Sequence, residues 1–254
     1  MGDFSGNFSD ELYDKIKNEE FDFVLCNGDF ANMKEIGKIF RIHGPELSKI
    51  IGEEKNEEMR VEAVEKARIP LERLNSLRKP VYTVRGNNEW TSKFETFLEI
   101  LQKYKNISLI DLKKVKINGI NIIGFPTFAA TERTEDLGNS YEKFINVLGK
   151  TDATKTILLA HIPPYNCDFD KIPDNANNFN AGKHVGYKTI EKIIEKYKFP
   201  IIVCGHLEEY QGECRKNNSR IINPGAAELN KYAILDINKE DLSKSKVKFY
   251  NLNK

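Results

Sequence analysis

Polar residues that can bind a metal follow several apolar runs of this sequence, and a glycine precedes most of them. Carboxylate, amide and imidazole groups together suit Mn, Fe or Zn better than Ca. One such turn is weak evidence, because a lone histidine or aspartate after a strand is usually an ordinary turn or core residue. Several in succession predict one shared metal site. The candidates are Asp29, Asn87, Asn88, His161 and His206, in the stretches "NGDF", "RGNNE", "AHIPPY" and "CGHLEE".

The elements that must position these residues are strands that alternate with helices. Apolar runs rich in Val, Ile and Tyr predict buried strands at 21–26, 80–85, 121–125, 155–160, 200–204, 220–223, 232–237 and 246–252. Helical patterns cover about 9–18, 34–78, 91–105, 140–149 and 186–197. "KVKINGINIIGF" predicts a hairpin, since Asn118-Gly119 favours a type I′ turn. This alternation predicts a layered α/β domain, whose sites gather at the carboxyl ends of the strands.

Composition excludes several classes of protein. The chain has 254 residues, 30% of them charged, and a net charge of +1, which gives no overall field for nucleic acid or a membrane surface. No apolar run is long enough to cross a bilayer, and the start lacks a signal-peptide layout. The four cysteines form no C-x-x-C pair, which suits a reduced, cytoplasmic protein. We predict a single domain over 1–254, with a helical, charge-rich insertion at about 34–78.

The ordered motifs resemble those of calcineurin-like metallophosphoesterases. "GDFSGN", "NGDF", "RGNNE", "AHIPPY", "CGHLEE" and "INPGA" follow the family order from Asp3 to about Gly225. "GKHVGYKTIEKIIEKYKFPIIVCGH" is similar to a branch of small prokaryotic phosphodiesterase-like members. The resemblance implies a four-layer α-β-β-α sandwich of two mixed sheets.

The same resemblance implies a site with two divalent metal ions, Mn, Fe or Zn. Phosphate-ester hydrolysis would proceed by attack of a metal-bound hydroxide on phosphorus. Asp29 would bridge the ions, Asn87, His161 and His206 would complete the second site, and Asp3 would belong to the first.

Three residues depart from the family pattern. Ser5 replaces a first-site histidine, and Glu208 stands where the other first-site histidine is usual. The first site is therefore expected to bind Zn more weakly, to be relatively more open to Mn or Mg, and to be weak or empty. Asn88 replaces the catalytic histidine and cannot protonate a leaving alkoxide. Its amide either contacts the substrate phosphate or fills the space of the lost imidazole.

The N-terminal segment also departs from the family pattern, and four further residues have expected locations. The family has an apolar strand before its first aspartate; that strand is expected to be missing here or to lie upstream, and Asp3 is expected to fray.

His184, in "GKHVGY", either faces the substrate, caps the next helix or is a solvated loop residue. His43 is expected at the surface. Phe125 and Phe128 either line the cleft or, as we prefer, pack in the core.

We predict a metal-dependent phosphoesterase, and a phosphodiesterase rather than a phosphomonoesterase. One reason is the resemblance to the phosphodiesterase-like branch. The other is that an activated diester has less need of the acid that Asn88 cannot supply. The alternative is a catalytically impaired binding or scaffold module, as in the retromer subunit that resembles these phosphatases. The expected partner is a small phosphate ester, with no membrane and no strong nucleic-acid signal; a homodimer stays open.

Overall fold

Short apolar runs form strands, and the longer charged stretches between them form helices. The structure is a computed structural model that describes residues 1–43, 47–89, 93–127, 136–149 and 151–253. Its helices are α1 (Asp10–Lys17), α2 (Lys34–His43), α3 (Leu47–Ile51), α4 (Glu53–Glu65), α5 (Arg68–Ser76), α6 (Phe94–Leu101), α7 (Asp136–Leu148) and α8 (Lys188–Lys196). Its strands are β1 (Val24–Cys26), β2 (Val81–Thr83), β3 (Ile107–Leu109), β4 (Lys114–Ile117), β5 (Ile120–Phe125), β6 (Thr156–Ala160), β7 (Ile201–Val203), β8 (Gly212–Lys216), β9 (Ser219–Asn223), β10 (Lys231–Asp236) and β11 (Lys246–Asn251).

The larger sheet is mixed and has the strand order β4-β5-β6-β7-β9-β8. Its central strands are parallel, and β4 and β8 pair antiparallel at the two edges. Every residue of β6 and β9 is buried, because both faces of this part of the sheet are covered; β6 is almost wholly apolar, as such a strand is expected to be. The predicted hairpin is confirmed: Asn118 and Gly119 have φ values of 50° and 88°, and Ile117 pairs with Ile120.

The second group of strands consists of a parallel sheet, β1-β2-β3, and a separate antiparallel pair, β10-β11. An apolar cluster between these strands and the larger sheet forms the middle of the domain; it includes Val84, Ile122, Leu159, Val203 and Ile222. Outer clusters pack α1, α4, α5 and α6 on one side, and α7 and α8 on the other. The α-β-β-α layering is therefore confirmed, but one of the two expected sheets is divided.

The gap between β1-β2-β3 and β10-β11 lies beside residues 1–3, which run along β1. The amine of Met1 donates to the Leu25 carbonyl at 3.0 Å, and the Asn27 N–H donates to the Met1 carbonyl at 3.0 Å. The Asp3 N–H reaches the Gly28 carbonyl at 2.9 Å. Asp3 is 3% exposed, so the expected fraying is wrong: backbone hydrogen bonds hold this segment in the interior.

The predicted helical insertion consists of α2 to α5. Pro70 lies in the first turn of α5, a position that needs no N–H donor, so the helical run is interrupted before it, at 66–67. His43 is exposed, as expected. Sequence patterns missed β3, which has three residues, and β8, whose sequence "GECRK" is polar and lies at a sheet edge. None of the helices in the described ranges combines the length and apolar character needed to cross a membrane.

Candidate metal centre

The site lies where four loops leave the carboxyl ends of strands in both sheets. Asp29 follows β1 and Asn87 follows β2, whereas His161 follows β6 and His206 follows β7. Within each sheet these strands are parallel, so their ends meet at one edge. Packing of the two sheets then brings both pairs of loops together.

Three buried residues form a compact group of potential metal ligands. One donor atom each from Asp3, Asp29 and His161 lies within 4.8 Å of the others. The Nε2 atom of His161 is 3.5 Å from Oδ2 of Asp29, and its Nδ1 atom is 3.9 Å from Oδ1 of Asp3. Two carboxylates and an imidazole at this spacing are suitable ligands for a divalent transition metal.

The hydrogen bonds of His161 determine which of its nitrogens can bind a metal. Nδ1 lies 2.7 Å from the Asn27 carbonyl oxygen, which only accepts, so Nδ1 carries the proton. Burial lowers the pKa of His161 well below its usual value and keeps the ring neutral. The Nε2 lone pair then faces Oδ1 of Asn87 at 2.7 Å, and Nδ1 of His206 lies 2.7 Å from the same oxygen.

This arrangement fits a cation. With Nε2 of His161 unprotonated, two lone pairs point at each other across 2.7 Å, and a positive charge beside them would relieve the repulsion. His161 and His206 approach edge to face, with ring centroids 5.2 Å apart. Asn87 is exposed and His206 is half-buried, so this side of the group opens to solvent and to a substrate.

The carboxylates of the group are held in an environment that disfavours their charge. Burial, followed by the charges of Glu89 and Asp3, raises the pKa of Asp29 well above its usual value. Burial also raises the pKa of Asp3 to about 7, although Asn27 and the His206 N–H donate to it. Divalent cations would offset this concentration of negative charge and favour the ionised carboxylates.

Two glycines allow the ligands to approach the backbone closely. A Cβ at Gly86 would lie 1.9 Å from Oδ1 of Asp29. A Cβ at Gly205 would lie 2.3 Å from Oδ2 of Asp3 and 1.7 Å from Nδ2 of Asn27. Contacts this short do not occur between non-bonded atoms, so any side chain at either position would displace Asp29 or Asp3.

Comparison with known proteins identifies the family of this chain. The family model described as calcineurin-like phosphoesterase matches residues 3–210. The chain belongs to that family. It is also 32% identical over 135 residues to the uncharacterized protein MJ1162 of Methanocaldococcus jannaschii, an alignment that covers 50% of this chain and 58% of MJ1162.

Solved structures show the shared fold at low sequence identity. The crystal structure of TT1561 of Thermus thermophilus has a TM-score of 0.59 and 12% identity, with 95% of this chain and 89% of that chain covered. A dimetal phosphatase from Danio rerio has a TM-score of 0.54 and 11% identity, with 94% and 85% covered. At these identities the likeness shows the metallophosphatase fold alone.

Glu89 is a residue of this candidate site to which sequence reasoning gave no role. Its fully buried carboxylate accepts four backbone N–H groups, at 2.6–3.1 Å, and thereby joins the loop after β1 to the loop after β2. The sequence signal for Glu89 is its position at the end of "RGNNE", close to the end of a buried strand. An acidic residue that is buried in such a place almost always has a partner. The donors are the N–H groups of Asp29, Phe30, Ala31 and Gly86.

Asn88 takes part in holding the loops rather than standing free in the cleft. Its N–H donates to Oδ1 of Asp29 at 2.8 Å, and its side-chain amide donates to the Ala31 carbonyl at 3.3 Å. Its Oδ1 accepts from the Asn87 amide at 2.9 Å, which orients the Asn87 oxygen toward the histidines. Ser5, which replaces a family histidine, is buried beside this loop, and its N–H donates to the Asp29 carbonyl at 3.0 Å.

Glu208 lies outside the group of Asp3, Asp29 and His161. Burial, followed by a hydrogen bond and charge from Glu228, raises the pKa of Glu208 to about 8. The ammonium of Lys34 in turn lies 2.5 Å from Glu228. The Glu228 N–H donates to the Asp3 carbonyl at 3.2 Å, so this pair of carboxyl groups adjoins the group.

His184 is not in the metal group either. Its Nδ1 lies 2.7 Å from Oδ1 of Asp170, a fully buried carboxylate, and its side chain, which is 33% exposed, lies beside Tyr165. Phe125 is fully buried against Phe144 in the outer core, as we preferred. Phe128 lies outside the described residues.

Proposed function

We propose that this family member is a metal-dependent phosphoesterase, and specifically a phosphodiesterase for a small phosphate ester. The observation that carries the proposal is the buried group of Asp3, Asp29 and His161, whose donor atoms lie within 4.8 Å of one another. Asn87 and His206 extend this group toward solvent.

The residues are suited to hold two divalent cations. Asp29 would lie between them, with Asp3 on one side and Asn87, His161 and His206 on the other. When bound, such cations would lower the pKa of a water molecule and would offset charge on the phosphoryl oxygens. The dimetal phosphatase from Danio rerio has the same fold, which supports a two-ion site. We favour Mn, because the first-site donors are carboxylates without an imidazole to attract Zn.

The chain's own groups orient the proposed ligands, but none of the proposed site residues is assigned to protonate the leaving group. The Asn27 carbonyl fixes the His161 tautomer, and the side-chain oxygen of Asn88 orients Asn87. Asn88 has no titrating group, so it cannot give a proton to the leaving oxygen. This favours diesters with good leaving groups, since they depart as anions without a proton.

Metal content and hydrolysis of bis-p-nitrophenyl phosphate in Mn test the proposal together. His206→Ala removes a half-buried ligand, and we expect it to lower both bound metal and the rate by at least about tenfold. His43→Ala is the matched control, because His43 is an exposed histidine on α2. Equal metal content in both variants would show that His206 is not a ligand.

A second candidate function is a metal-binding module without catalysis. The observation in its favour is that the side chain of Asn88 is used in internal hydrogen bonds. A parent protein that binds metal tightly but hydrolyses no phosphate ester in Mn would establish this alternative.

A further inference from the structure

Two exposed phenylalanines from distant parts of the chain contact each other at the end of α2. Phe40 lies in the last turn of α2, and Phe179 lies in the long segment between β6 and α8. Their rings meet edge to face, with centroids 5.7 Å apart and planes at 77°. We call these two residues the ring pair. Phe40 is 40% exposed and Phe179 is 43% exposed, whereas the other phenylalanines in the described ranges are buried or half-buried.

Backbone hydrogen bonds hold the ring pair in place. The Phe179 N–H donates to the Arg41 carbonyl at 2.8 Å, and the Ala181 N–H donates to the Asn178 carbonyl at 2.9 Å. These bonds fix Phe179 against the end of α2, although its side chain gains little burial there. Surface apolar residues that stand singly are ordinary. Two rings that are fixed together and still open to solvent are instead suited to receive a third ring.

Contacts at the start of α2 place the ring pair near the metal group. Lys34 begins α2, and its ammonium lies 2.5 Å from Glu228. The Glu228 N–H donates in turn to the Asp3 carbonyl at 3.2 Å. Phe40 follows Lys34 by six residues, so it lies about 9 Å further along the helix axis, at a rise of about 1.5 Å per residue. The ring pair is therefore within reach of a small molecule whose phosphate is bound at the metal group.

Arg41, next to Phe40, lies on the side of α2 that faces the metal group. It follows Lys34 by seven residues, which is two helical turns, so both side chains lie on one face of the helix. Burial is the largest influence on the pKa of Glu208 and raises it, and the charge of Arg41 acts in the opposite direction. The guanidinium is therefore within electrostatic range of Glu208, which follows His206 by two residues. An anionic ester would meet this cation between the metal group and the rings.

We propose that the ring pair binds an aromatic ring of the substrate, so that the site prefers phosphodiesters in which a short linker joins such a ring to phosphorus. This inference rests on the proposed function, because it concerns the ester that the metal group would hydrolyse. The linker is needed because a ring attached directly to the phosphate would not span the distance from the metal group to the end of α2. Stacking on an open aromatic face favours a ring over an alkyl group. Two side chains offer too little apolar area for a protein partner.

Two p-nitrophenyl diesters with the same leaving group test the proposal. The second group is thymidine, attached through its 5′ oxygen, in one ester and methyl in the other. We expect kcat/KM in Mn to be at least about fivefold higher for the thymidine ester, and Phe179→Ala to reduce this ratio by a similar factor. Phe179→Tyr keeps a ring and should keep the ratio. Ile69→Ala is the matched control, because Ile69 is an apolar residue on α5 that is 45% exposed.

The outcomes distinguish this inference from the proposed function. Hydrolysis of both esters with the same ratio in the parent and in Phe179→Ala would overturn the ring pair as a binding site, while the phosphoesterase would stand. If neither ester is hydrolysed, the proposed function fails, and calorimetric binding of thymidine 5′-monophosphate in Mn decides the role of the ring pair. Weaker binding by Phe179→Ala than by Ile69→Ala would then support it, and equal binding would overturn it.

Discussion

The Nε2 atom of His161 lies 2.7 Å from Oδ1 of Asn87, although the two residues belong to different sheets. The Asn27 carbonyl accepts a hydrogen bond from the other ring nitrogen, which keeps the proton, so two lone pairs face each other. This relationship explains how the packing of the two sheets also brings the candidate metal ligands together. Substitutions of residues that only position these side chains should therefore change the metal content of the protein.

Asn88→His should restore a leaving-group acid at the same backbone position. General acids are typically worth ~10²–10⁴-fold, so we expect the largest gain on alkyl phosphodiesters and little gain on nitrophenyl esters. Rates over a series of leaving-group pKa values measure this. Metal content is the control, because the change also removes the bond to Asn87. Equal gains across the series would indicate positioning or electrostatics instead of proton transfer.

Glu89→Gln should weaken the connection between the loops after β1 and β2. The substituted amide would point its own donor at backbone N–H groups that now share one carboxylate. We expect unfolding to become easier by about 1–3 kcal/mol and metal affinity to fall, as measured by urea titration and elemental analysis. Glu95→Gln, an exposed change on α6, is the matched control. Unaltered stability of Glu89→Gln would contradict the role given to Glu89.

Gly205→Ala should displace Asp3 and Asn27, because the added Cβ would lie within 2.3 Å of both side chains. We expect loss of bound metal and of hydrolysis, with destabilisation of about 1–3 kcal/mol. Gly37→Ala is the control: its Cβ meets nothing closer than 3.5 Å, and alanine within α2 should stabilise by about 0.5–1 kcal/mol. Similar metal content in the two variants would show that the site tolerates a side chain at 205.

Metal-free protein should lose stability as pH rises. Burial raises the pKa of Asp3 from an ordinary 3.8 to about 7, so the folded chain binds more protons than the unfolded chain between these values. Stability then falls from about pH 4 to about pH 7. Urea unfolding in EDTA at about pH 5 and about pH 8 measures the loss. Asp3→Asn should reduce this pH dependence, and an unchanged dependence would assign it to other carboxyl groups.

The sequence by itself determined the repeated strand-end motifs, the hairpin and most of the strands. These depend on local properties: a buried parallel strand needs an unbroken apolar run, and a type I′ turn needs two residues that accept positive φ, as Asn118 and Gly119 do. The candidates Asp29, Asn87, His161 and His206 followed because each ends such a run. Short or polar elements, such as β3 and β8, lack a local pattern strong enough to predict.

Only the tertiary structure decided which donor atoms meet. The tautomer of His161 depends on a carbonyl 134 residues away, at Asn27, and no local pattern encodes such a contact. The four bonds to Glu89, and the pairing of Glu208 with Glu228 and of His184 with Asp170, likewise arise from packing. The division of the second sheet into β1-β2-β3 and β10-β11 is also a result of tertiary structure, because strand pairing depends on which strands lie side by side. Motifs place the ligands on loops, and burial and long-range hydrogen bonds then decide their orientation and charge.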